Sequence, residues 1–416
     1  MIGRRGFVGA AGLALAGCAG RPPRARLGRI VVVGGGFGGA TAARHLRLWG
    51  GEAVDVTLVE REAAFVSCPM SNLVVGGLRG MDFITHGYGA LEALGVRRLR
   101  AEVAAIDPVG HAVALADGRS LAWDRLVLAP GIDFMLDGLP GLAAAFASGR
   151  AVHAWKAGAQ TVALRRRLEA LPDGGVVLIS IPSSPYRCPP APYERACLIA
   201  SWLRRARPRA KLLVLDANPE IQSKRALFER AFAEHHAGLL EYRPNAELQE
   251  VLPDGTARFE FEDVKADVLN LIPPQRAGDL VRELATVNRR WVPVDWLTMQ
   301  ARGAPGVHVV GDALLSAPAS PKSGHLANQQ AKVAAAAVLQ QLRGEPVDAS
   351  PVVTNTCYSF VTPTQAGHVA SVHRYDAAEK TMKPVPGAAS LSATASAAEA
   401  ELAWGWAESI WADSLG

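Results

Sequence analysis

The sequence lacks the cysteine spacings that mark several kinds of redox and metal protein. It contains no C-x-x-C or C-x-x-x-x-C pair, which excludes a local dithiol, and no C-x-x-C-H, which excludes a c-type haem of its own. No group of residues has the spacing of a metal site, and the closest candidate, His235-His236, predicts a solvated helix surface. The five cysteines are instead far apart: Cys18, Cys68, Cys188, Cys197 and Cys357.

Long apolar runs and a basic face are also missing. The longest apolar run is about half the length needed to span a bilayer, so no transmembrane segment is predicted. The net charge is +5, but residues 1–29 hold six arginines and no acid, which leaves the remainder at −1. Because the excess positive charge lies in this leader, the composition argues against a nucleic-acid partner.

Residues 1–28 predict an export signal and linker. Arg4-Arg5 followed by a short apolar run to Gly17 is typical of a twin-arginine signal, which carries folded proteins to the periplasm. Leu15–Cys18 resembles a lipoprotein processing site that would leave Cys18 as a lipid anchor, and an ordinary small-residue cleavage site is the alternative. Disulfides persist in such an oxidising compartment.

A glycine-rich turn between two predicted strands organises the mature chain. Ile30–Val33 is a short β-branched run typical of a buried parallel strand, Ala40–Trp49 predicts a helix, and Val54–Val59 predicts a second strand that ends in Glu60. The turn itself reads Gly34-Gly35-Gly36-Phe37-Gly38-Gly39. This order indicates a dinucleotide-binding unit.

Each glycine of this motif has a physical role. Gly34 permits the tight turn, Gly36 lets the backbone approach a pyrophosphate, and Gly39 lets the helix pack on the strand. Phe37 and Gly38 complete the loop at the helix N-terminus, where the pyrophosphate would bind. Glu60, 21 residues beyond Gly39, is expected to accept hydrogen bonds from the adenosine ribose.

The residues that follow two later predicted strands indicate that the bound dinucleotide is FAD. The strand Trp123–Leu128 ends at Ala129-Pro130-Gly131, a turn that commonly closes the first half of a flavin domain. The strand Val307–Val310 ends at Gly311-Asp312, and an aspartate at this place in flavin enzymes faces the ribitol and pyrophosphate of FAD. Coarser patterns predict a loop over Phe65–Asn72, which holds Cys68, and a helix over Gln329–Leu342.

A second unit repeats the plan without its phosphate-binding glycines. Val176–Ser180 and Leu212–Asp216 predict its first two strands, but Pro182–Pro190 stands where a nicotinamide-binding unit would place glycines. Proline has no N–H to donate and stiffens the backbone, so this loop cannot cradle a second pyrophosphate in the same way.

The predicted fold is α/β, with two Rossmann-like domains of the FAD/NAD(P)-linked reductase type and a C-terminal α+β interface domain. The predicted FAD-binding domain comprises 29–140 and 275–348, the second Rossmann-like domain comprises 141–274, and the C-terminal domain comprises 349–416.

Among the cysteines of the mature chain, Cys197 lies in an apolar helical stretch and is expected to be a core thiol. Cys188 and Cys357 lie 169 residues apart in turn-rich settings and could pair in an oxidising compartment. Spacing leaves open whether they pair and whether such a bridge is structural or redox-active.

Nearly the whole mature chain resembles the flavoprotein subunit of flavocytochrome c sulfide dehydrogenase, a relative of the sulfide:quinone oxidoreductases. The segment Arg187–Arg195 is especially specific, because such a loop has little structural reason to arise elsewhere. The likeness also rests on Gly34–Ala43, Ser67–Asn72, His153–Gly158, Arg187–Ala196, Leu271–Gly278, Gly311–Ala313 and Asn355–Ser359.

The resemblance implies a function and roles for particular residues. It implies that Cys68 bonds covalently to the flavin 8α-methyl carbon, that Cys188 and Cys357 form the redox-active disulfide, and that Glu194 is a nearby proton acceptor. It implies FAD as cofactor, sulfide as substrate, and a c-type cytochrome subunit or soluble cytochrome c as electron acceptor.

Three alternatives remain at this point. A sulfide:quinone oxidoreductase would need membrane contact, which Trp404, Trp406, Ile410 and Trp411 could supply, but the tail also holds four acids and no basic residue. We therefore expect these tryptophans to pack against the flavin domain. A non-catalytic exported flavoprotein that carries electrons is the second alternative. An NADH-dependent disulfide reductase, the third, is disfavoured by the proline-filled loop.

Overall fold

The computed structural model describes residues 26–284 and 286–416, so the twin-arginine pattern and Cys18 lie outside the described residues. Two largely parallel sheets with helices packed on them are followed by a C-terminal antiparallel sheet and a long helix. The predicted α/β fold with a C-terminal α+β part is confirmed. Within the described ranges, no helix combines the length and the apolar character needed to cross a membrane.

The first sheet is built around the strand that precedes the glycine loop. Ile30 and Val32 are fully buried in it, and burying such a side chain contributes about 1.5–3 kcal/mol. Its apolar run is continuous because helices cover both faces of a parallel sheet. The seven strands, in spatial order, are Val294–Asp295, Gln300–Ala301, Val307–Val309, Arg125–Leu128, Gly28–Val33, Val54–Glu60 and Arg97–Arg100.

The second sheet repeats this arrangement with five parallel strands, two of which, Val176–Ile181 and Lys211–Asp216, correspond to the strands predicted for the second unit. In spatial order they are Ala151–Val152, Val268–Leu271, Val176–Ile181, Lys211–Asp216 and Leu240–Arg243. Small antiparallel sheets flank the two large ones and comprise Phe65–Val66 with Thr85–His86, Val103–Asp107 with Ala112–Leu115 and Ser120–Ala122, Ile132–Phe134 with Gln275–Ala277, and Leu248–Val251 with Ala257–Phe259 and Asp263–Val264.

The C-terminal part is a long hairpin covered by the last helix. Its sheet contains Val352–Thr362, Gln365–Asp376 and Thr381–Pro384, and Ser390–Leu391 pairs with the second of these. Trp404 and Trp411 contact Phe83, with ring centroids 5.6 and 5.3 Å apart. The expected packing of these tryptophans against the flavin domain is therefore confirmed.

The helices differ from the sequence-based bounds at three places. The first helix begins at Phe37, three residues before the predicted start at Ala40. A short helix, Ser71–Val75, begins inside the predicted loop 65–72. The alanine-rich helix begins at Gly324, because the Ser323 hydroxyl caps it by accepting a hydrogen bond from the Leu326 N–H at 3.0 Å. The α-helices are Phe37–Gly50, Ser71–Val75, Gly89–Ala93, Leu142–Ala147, Ala159–Ala170, Ala191–Ala206, Arg225–Glu234, Gly324–Arg343 and Ala397–Leu415, with 3₁₀ turns at Gly51–Ala53, Met81–Ile84, Asp279–Leu284 and Gly311–Ala313.

The predicted solvated surface at His235-His236 is wrong for His236. The preceding helix ends at Glu234, and the following turn folds the second histidine against the C-terminal hairpin. His236 is 1% exposed, and its Nε2 lies 2.8 Å from the Val361 carbonyl oxygen. Burial lowers the pKa of His236 to about 4, so it is a neutral core residue.

Candidate active site

A cleft opens beyond the carboxyl ends of the first sheet's central strands, where α/β proteins bind their ligands. Residues of the second unit and of the C-terminal hairpin also line it. Gly34, Gly39 and Glu60 lie outside its lining. The predicted site residues that line it are Gly36, Phe37, Gly38, Cys68, Ala129, Gly131, Cys188, Glu194, Gly311, Asp312 and Cys357.

The glycine loop has the geometry that its sequence predicts. A Cβ at Gly39 would lie 1.7 Å from the Gly34 carbonyl oxygen, so only glycine allows the helix to pack this closely on the strand. Gly34 itself has φ of +93°, in the region that favours glycine. A Cβ at Gly36, by contrast, would meet no atom within 4 Å. The loop therefore leaves open space at the helix N-terminus, as an approaching pyrophosphate requires.

Glu60 holds the glycine loop in place. Its carboxylate accepts hydrogen bonds from the Gly35 N–H at 2.5 Å and from the Glu62 N–H at 2.8 Å. The Tyr88 hydroxyl donates to the Gly35 carbonyl oxygen at 3.0 Å and secures the same turn. Glu60 thus positions the loop backbone in this structure, and ribose binding by the same carboxylate stays a prediction.

Asp312 presents an unsatisfied oxygen at the cleft. Its Oδ1 is buried and has no hydrogen-bond partner among the described residues, while Oδ2 lies 3.7 Å from Arg187 Nη1. Leaving a buried acceptor unpaired costs about 1–3 kcal/mol, so this oxygen indicates a hydroxyl donor from a bound molecule. The open space at Gly36 and the free acceptor at Asp312 both fit FAD.

Cys68 lies between the strand Phe65–Val66 and the helix Ser71–Val75, and its side chain lines the cleft. Its Sγ is 3.2 Å from Nη2 of Arg187. Arg187 thus lies between Cys68 and Asp312, a position that the sequence did not single out. The sequence signal that could have identified Arg187 is its position next to Cys188, in the segment that carries the family resemblance.

Cys188 and Cys357 meet in the cleft although 169 residues separate them. Cys188 has φ of +52°, and its N–H donates to the Lys322 carbonyl oxygen at 2.8 Å. Cys357 lies in the middle of the strand Val352–Thr362. Both are free thiols in this structure, and each side chain lies close enough to the other to change its acidity. The pair is therefore positioned for thiol–disulfide chemistry.

The two thiols differ in acidity. The neighbouring Cys188 side chain lowers the pKa of Cys357, and the nearby ammonium of Lys224 acts in the same direction, against burial. The pKa of Cys188 is raised by the neighbouring Cys357 side chain and by burial. Cys357 is therefore the sulfur that carries negative charge more readily.

Glu194 connects the segment that holds Cys68 with the strand that holds Cys357. It lies in the first turn of the helix Ala191–Ala206, and burial raises its pKa. Its Oε2 accepts a hydrogen bond from Asn72 Nδ2 at 2.7 Å, and its Oε1 accepts one from the Phe360 N–H at 2.9 Å. The predicted acid is thus held in the cleft that both cysteines line.

Arg195 is a supporting residue that the sequence did not single out. It is 2% exposed, and its guanidinium donates to Oδ1 of Asn72 and Oδ1 of Asn270, both at 3.0 Å. It also donates to the Ala154 carbonyl oxygen at 2.6 Å. Because Asn72 in turn binds Glu194, this buried arginine fixes the position of the acid.

In the second unit, Asp216 stands where an acidic residue would bind the ribose of a nicotinamide cofactor, but its carboxylate is hydrogen-bonded within the protein. Asp216 ends its strand and is fully buried. Its carboxylate accepts hydrogen bonds from the Tyr193 hydroxyl at 2.6 Å, the Tyr242 hydroxyl at 3.0 Å and the Asn218 N–H at 2.9 Å. With these partners it is not available to a ribose, in agreement with the proline-filled loop.

Similarity to known proteins identifies the family. Residues 161–273 match the central part of the sulfide dehydrogenase (flavocytochrome c) flavoprotein chain, and residues 349–415 match the flavin-binding part of flavocytochrome c sulphide dehydrogenase. The sulfide dehydrogenase flavoprotein chain of Chlorobaculum thiosulfatiphilum is 59% identical over 46 residues, which cover 94% of that sequence and 11% of this chain. The chain belongs to the family of flavocytochrome c sulfide dehydrogenase flavoprotein chains.

Other matches relate this chain to a wider group of proteins. Residues 28–167 match the pyridine nucleotide-disulphide oxidoreductases. The mitochondrial sulfide:quinone oxidoreductase of Mus musculus is 26% identical over 305 residues, which cover 68% of this chain and 65% of that protein. The structure of the sulfide:quinone oxidoreductase from Aquifex aeolicus superposes with a TM-score of 0.77 at 18% identity over 93% of this chain and 91% of that one, which shows a shared fold.

Proposed function

We propose that this chain oxidises hydrosulfide through a Cys188–Cys357 disulfide, with FAD as the two-electron acceptor, and passes the electrons to a c-type cytochrome. The observation that carries the proposal is the convergence of these two cysteines in a cleft built for a flavin dinucleotide. Family membership and the similarity to sulfide:quinone oxidoreductases support the substrate class.

The protein's own part in the reaction is thiol–disulfide exchange. Hydrosulfide attacks one sulfur of the Cys188–Cys357 bridge, a new S–S bond forms, and the bridge breaks to give a persulfide and a thiolate. A second hydrosulfide takes the outer sulfur and leaves a dithiol. Oxidation of the dithiol back to the disulfide releases two electrons, so that two hydrosulfides yield one hydrodisulfide, one proton and two electrons.

FAD would be held by the open loop at Gly36, the turn at Gly131 and the free oxygen of Asp312. When bound, it supplies an acceptor that takes two electrons together and gives them up singly. A thioether from Cys68 to the cofactor is part of the proposal, supported by the place of this thiol in the cleft and by the adjacent Arg187 guanidinium.

Glu194 is proposed to receive the proton that the reaction releases. Because burial raises the pKa of this carboxyl group, its proton-accepting form increases as pH rises through that raised value. We expect Glu194→Gln to slow sulfide oxidation about 100-fold or more and to remove the acid limb of the pH–rate profile. Turnover measured from acid to neutral pH tests this expectation.

Glu169→Gln is the matched control for that variant. Glu169 forms an exposed pair with Arg165, and its side chain is 54% exposed, so the profile should be unchanged. A Glu194→Gln enzyme that keeps the acid limb would rule out Glu194 as the proton acceptor.

A quinone is the second candidate acceptor, favoured by the match to the mouse sulfide:quinone oxidoreductase. The last helix argues for the cytochrome, because its Trp404 and Trp411 pack against Phe83. Its acidic residues also include Asp413, which pairs with Lys332 at 2.7 Å. We propose a cytochrome subunit or soluble cytochrome c as the partner, and a periplasmic location reached through the twin-arginine leader, either free or anchored at Cys18.

An anaerobic stopped-flow experiment on the FAD-loaded chain tests this function. Sulfide is expected to bleach the flavin absorbance, and cytochrome c is expected to restore it faster than a water-soluble quinone does. NADH is expected to leave the flavin oxidised, because Asp216 is fully engaged by its neighbours. A flavin that sulfide does not bleach would leave only a non-catalytic electron carrier, and bleaching by NADH would indicate a nicotinamide-dependent reductase.

A further inference from the structure

Lys224 is a buried ammonium beside the cysteine pair that neither the sequence motifs nor the proposed reaction explains. It is the N-cap residue of the helix Arg225–Glu234 and has left-handed backbone angles, with φ of 55° and ψ of 40°. Only 5% of the residue is exposed. A lysine in such a position normally requires a partner of opposite charge, because removing an ammonium from water is costly.

The hydrogen bonds of Lys224 all go to uncharged oxygens on the C-terminal hairpin. Its Nζ donates to the Cys357 carbonyl oxygen and to Ser359 Oγ, each at 2.7 Å, and more weakly to the Gly367 carbonyl oxygen at 3.4 Å. None of the ion pairs found among residues 26–284 and 286–416 includes it. These bonds hold the ammonium at the Cys357 backbone without neutralising its charge.

Burial lowers the pKa of Lys224, and four acidic groups on the elements packed around it oppose this effect. Cys357 has the largest effect of the four, followed by Glu194, Cys188 and Glu399 of the last helix. Both oxygens of Glu194 already accept hydrogen bonds from Asn72 and Phe360. Arg187, the neighbour of Cys188 in the chain, lowers the pKa of Cys188, but its effect is smaller than the raising effects of Cys357 and burial. The Cys357 sulfur is therefore the anion that Lys224 is placed to balance.

We propose that Lys224 is a positioning residue that keeps Cys357, rather than Cys188, as the thiolate of the reduced pair. The inference rests on the proposed function only in assuming that the two cysteines are oxidised to a disulfide and reduced again to two thiols. Because the sulfur with the lower pKa is the better leaving group, hydrosulfide attack is directed to Cys188. In that step the S–S bond breaks, its electron pair goes to Cys357, and the hydrosulfide sulfur bonds to Cys188.

The test measures the acidity of Cys357 without any sulfide turnover. In the FAD-loaded Cys188→Ser chain, the rate of Cys357 alkylation by iodoacetamide is followed against pH by mass spectrometry of its peptide. We expect Lys224→Met, added to this background, to move the midpoint to higher pH, because loss of a positive charge disfavours the thiolate. A shift of one pH unit corresponds to about tenfold slower alkylation below the midpoint.

Two further variants distinguish charge from packing. Lys224→Gln can still donate to Cys357 and Ser359, so the local structure is held, and we expect a similar shift because the charge is gone. Lys265→Met removes a charge from a side chain that is 76% exposed and should leave the profile unchanged. An unchanged midpoint in Lys224→Gln would overturn the proposal. Since the readout does not depend on sulfide, its failure is separate from failure of the proposed sulfide oxidation.

Discussion

Cys188→Ser and Cys357→Ser are each expected to lower sulfide oxidation by more than about a thousandfold while FAD stays bound. The reason is that neither variant can form the bridge that hydrosulfide attacks, and a serine oxygen cannot replace the missing sulfur. Both side chains line the cleft without forming its glycine loop, so cofactor binding should persist. The measurements are sulfide-dependent reduction of cytochrome c and the ratio of flavin to protein absorbance.

Cys197→Ala is the control for these variants. Cys197 is fully buried in the apolar face of the helix Ala191–Ala206, as its sequence predicts, and does not line the cleft. Its replacement should leave turnover unchanged. Retention of turnover in both serine variants would eliminate the disulfide mechanism, whereas loss of flavin from them would mean that the cysteines act through cofactor binding.

Gly36→Ala is expected to produce a folded chain that binds FAD more weakly. Its new methyl group would occupy the open space at the N-terminus of the helix Phe37–Gly50, where the pyrophosphate is expected. Crowding at a well-packed contact costs about 1–3 kcal/mol, which corresponds to a roughly 5- to 150-fold loss of affinity. Flavin content after purification and titration of the apoprotein with FAD measure the effect, and circular dichroism reports the fold.

Gly39→Ala and Gly89→Ala are the two control variants, one expected to prevent folding and the other expected to have no effect. A methyl group at Gly39 would overlap the Gly34 carbonyl oxygen, so that variant should fail to fold rather than merely lose FAD. Gly89 lies at the start of a short helix with no atom within 4 Å of its Cβ position, and its substitution should be neutral. Full FAD affinity in Gly36→Ala would mean that the cofactor does not approach this loop.

Local patterns were sufficient to predict the first half of the site. The order of strand, glycine turn and helix depends on neighbouring residues, so the tight turn at Gly34 and the close packing at Gly39 could be predicted, and the geometry agrees with both. The approach of a pyrophosphate to Gly36 stays a prediction. The absence of glycines from the loop Pro182–Pro190 of the second unit was equally informative, because it agrees with the engaged carboxylate of Asp216. The predicted solvent exposure of His236 failed because a tertiary contact with Val361 replaced the expected water.

The residues that tune the cysteines could not be predicted, because they reach the cleft from distant parts of the chain. Lys224 contacts a strand more than a hundred residues away, and Arg195 joins Asn72 to Asn270. Both are charged residues at full or nearly full burial, which sequence periodicity assigns to the surface. The meeting of Cys188 with Cys357 was itself implied by the family resemblance and not by spacing.

The most direct test of the central claim is mass spectrometry of the FAD-loaded chain, digested without reductant before and after anaerobic exposure to sulfide. The account predicts a peptide pair joined through Cys188 and Cys357 in the oxidised protein. After sulfide, this pair should be replaced by separate peptides, one of which carries an additional sulfur as a persulfide. Separate, unmodified peptides in the oxidised protein, or a joined pair that sulfide leaves intact, would contradict it.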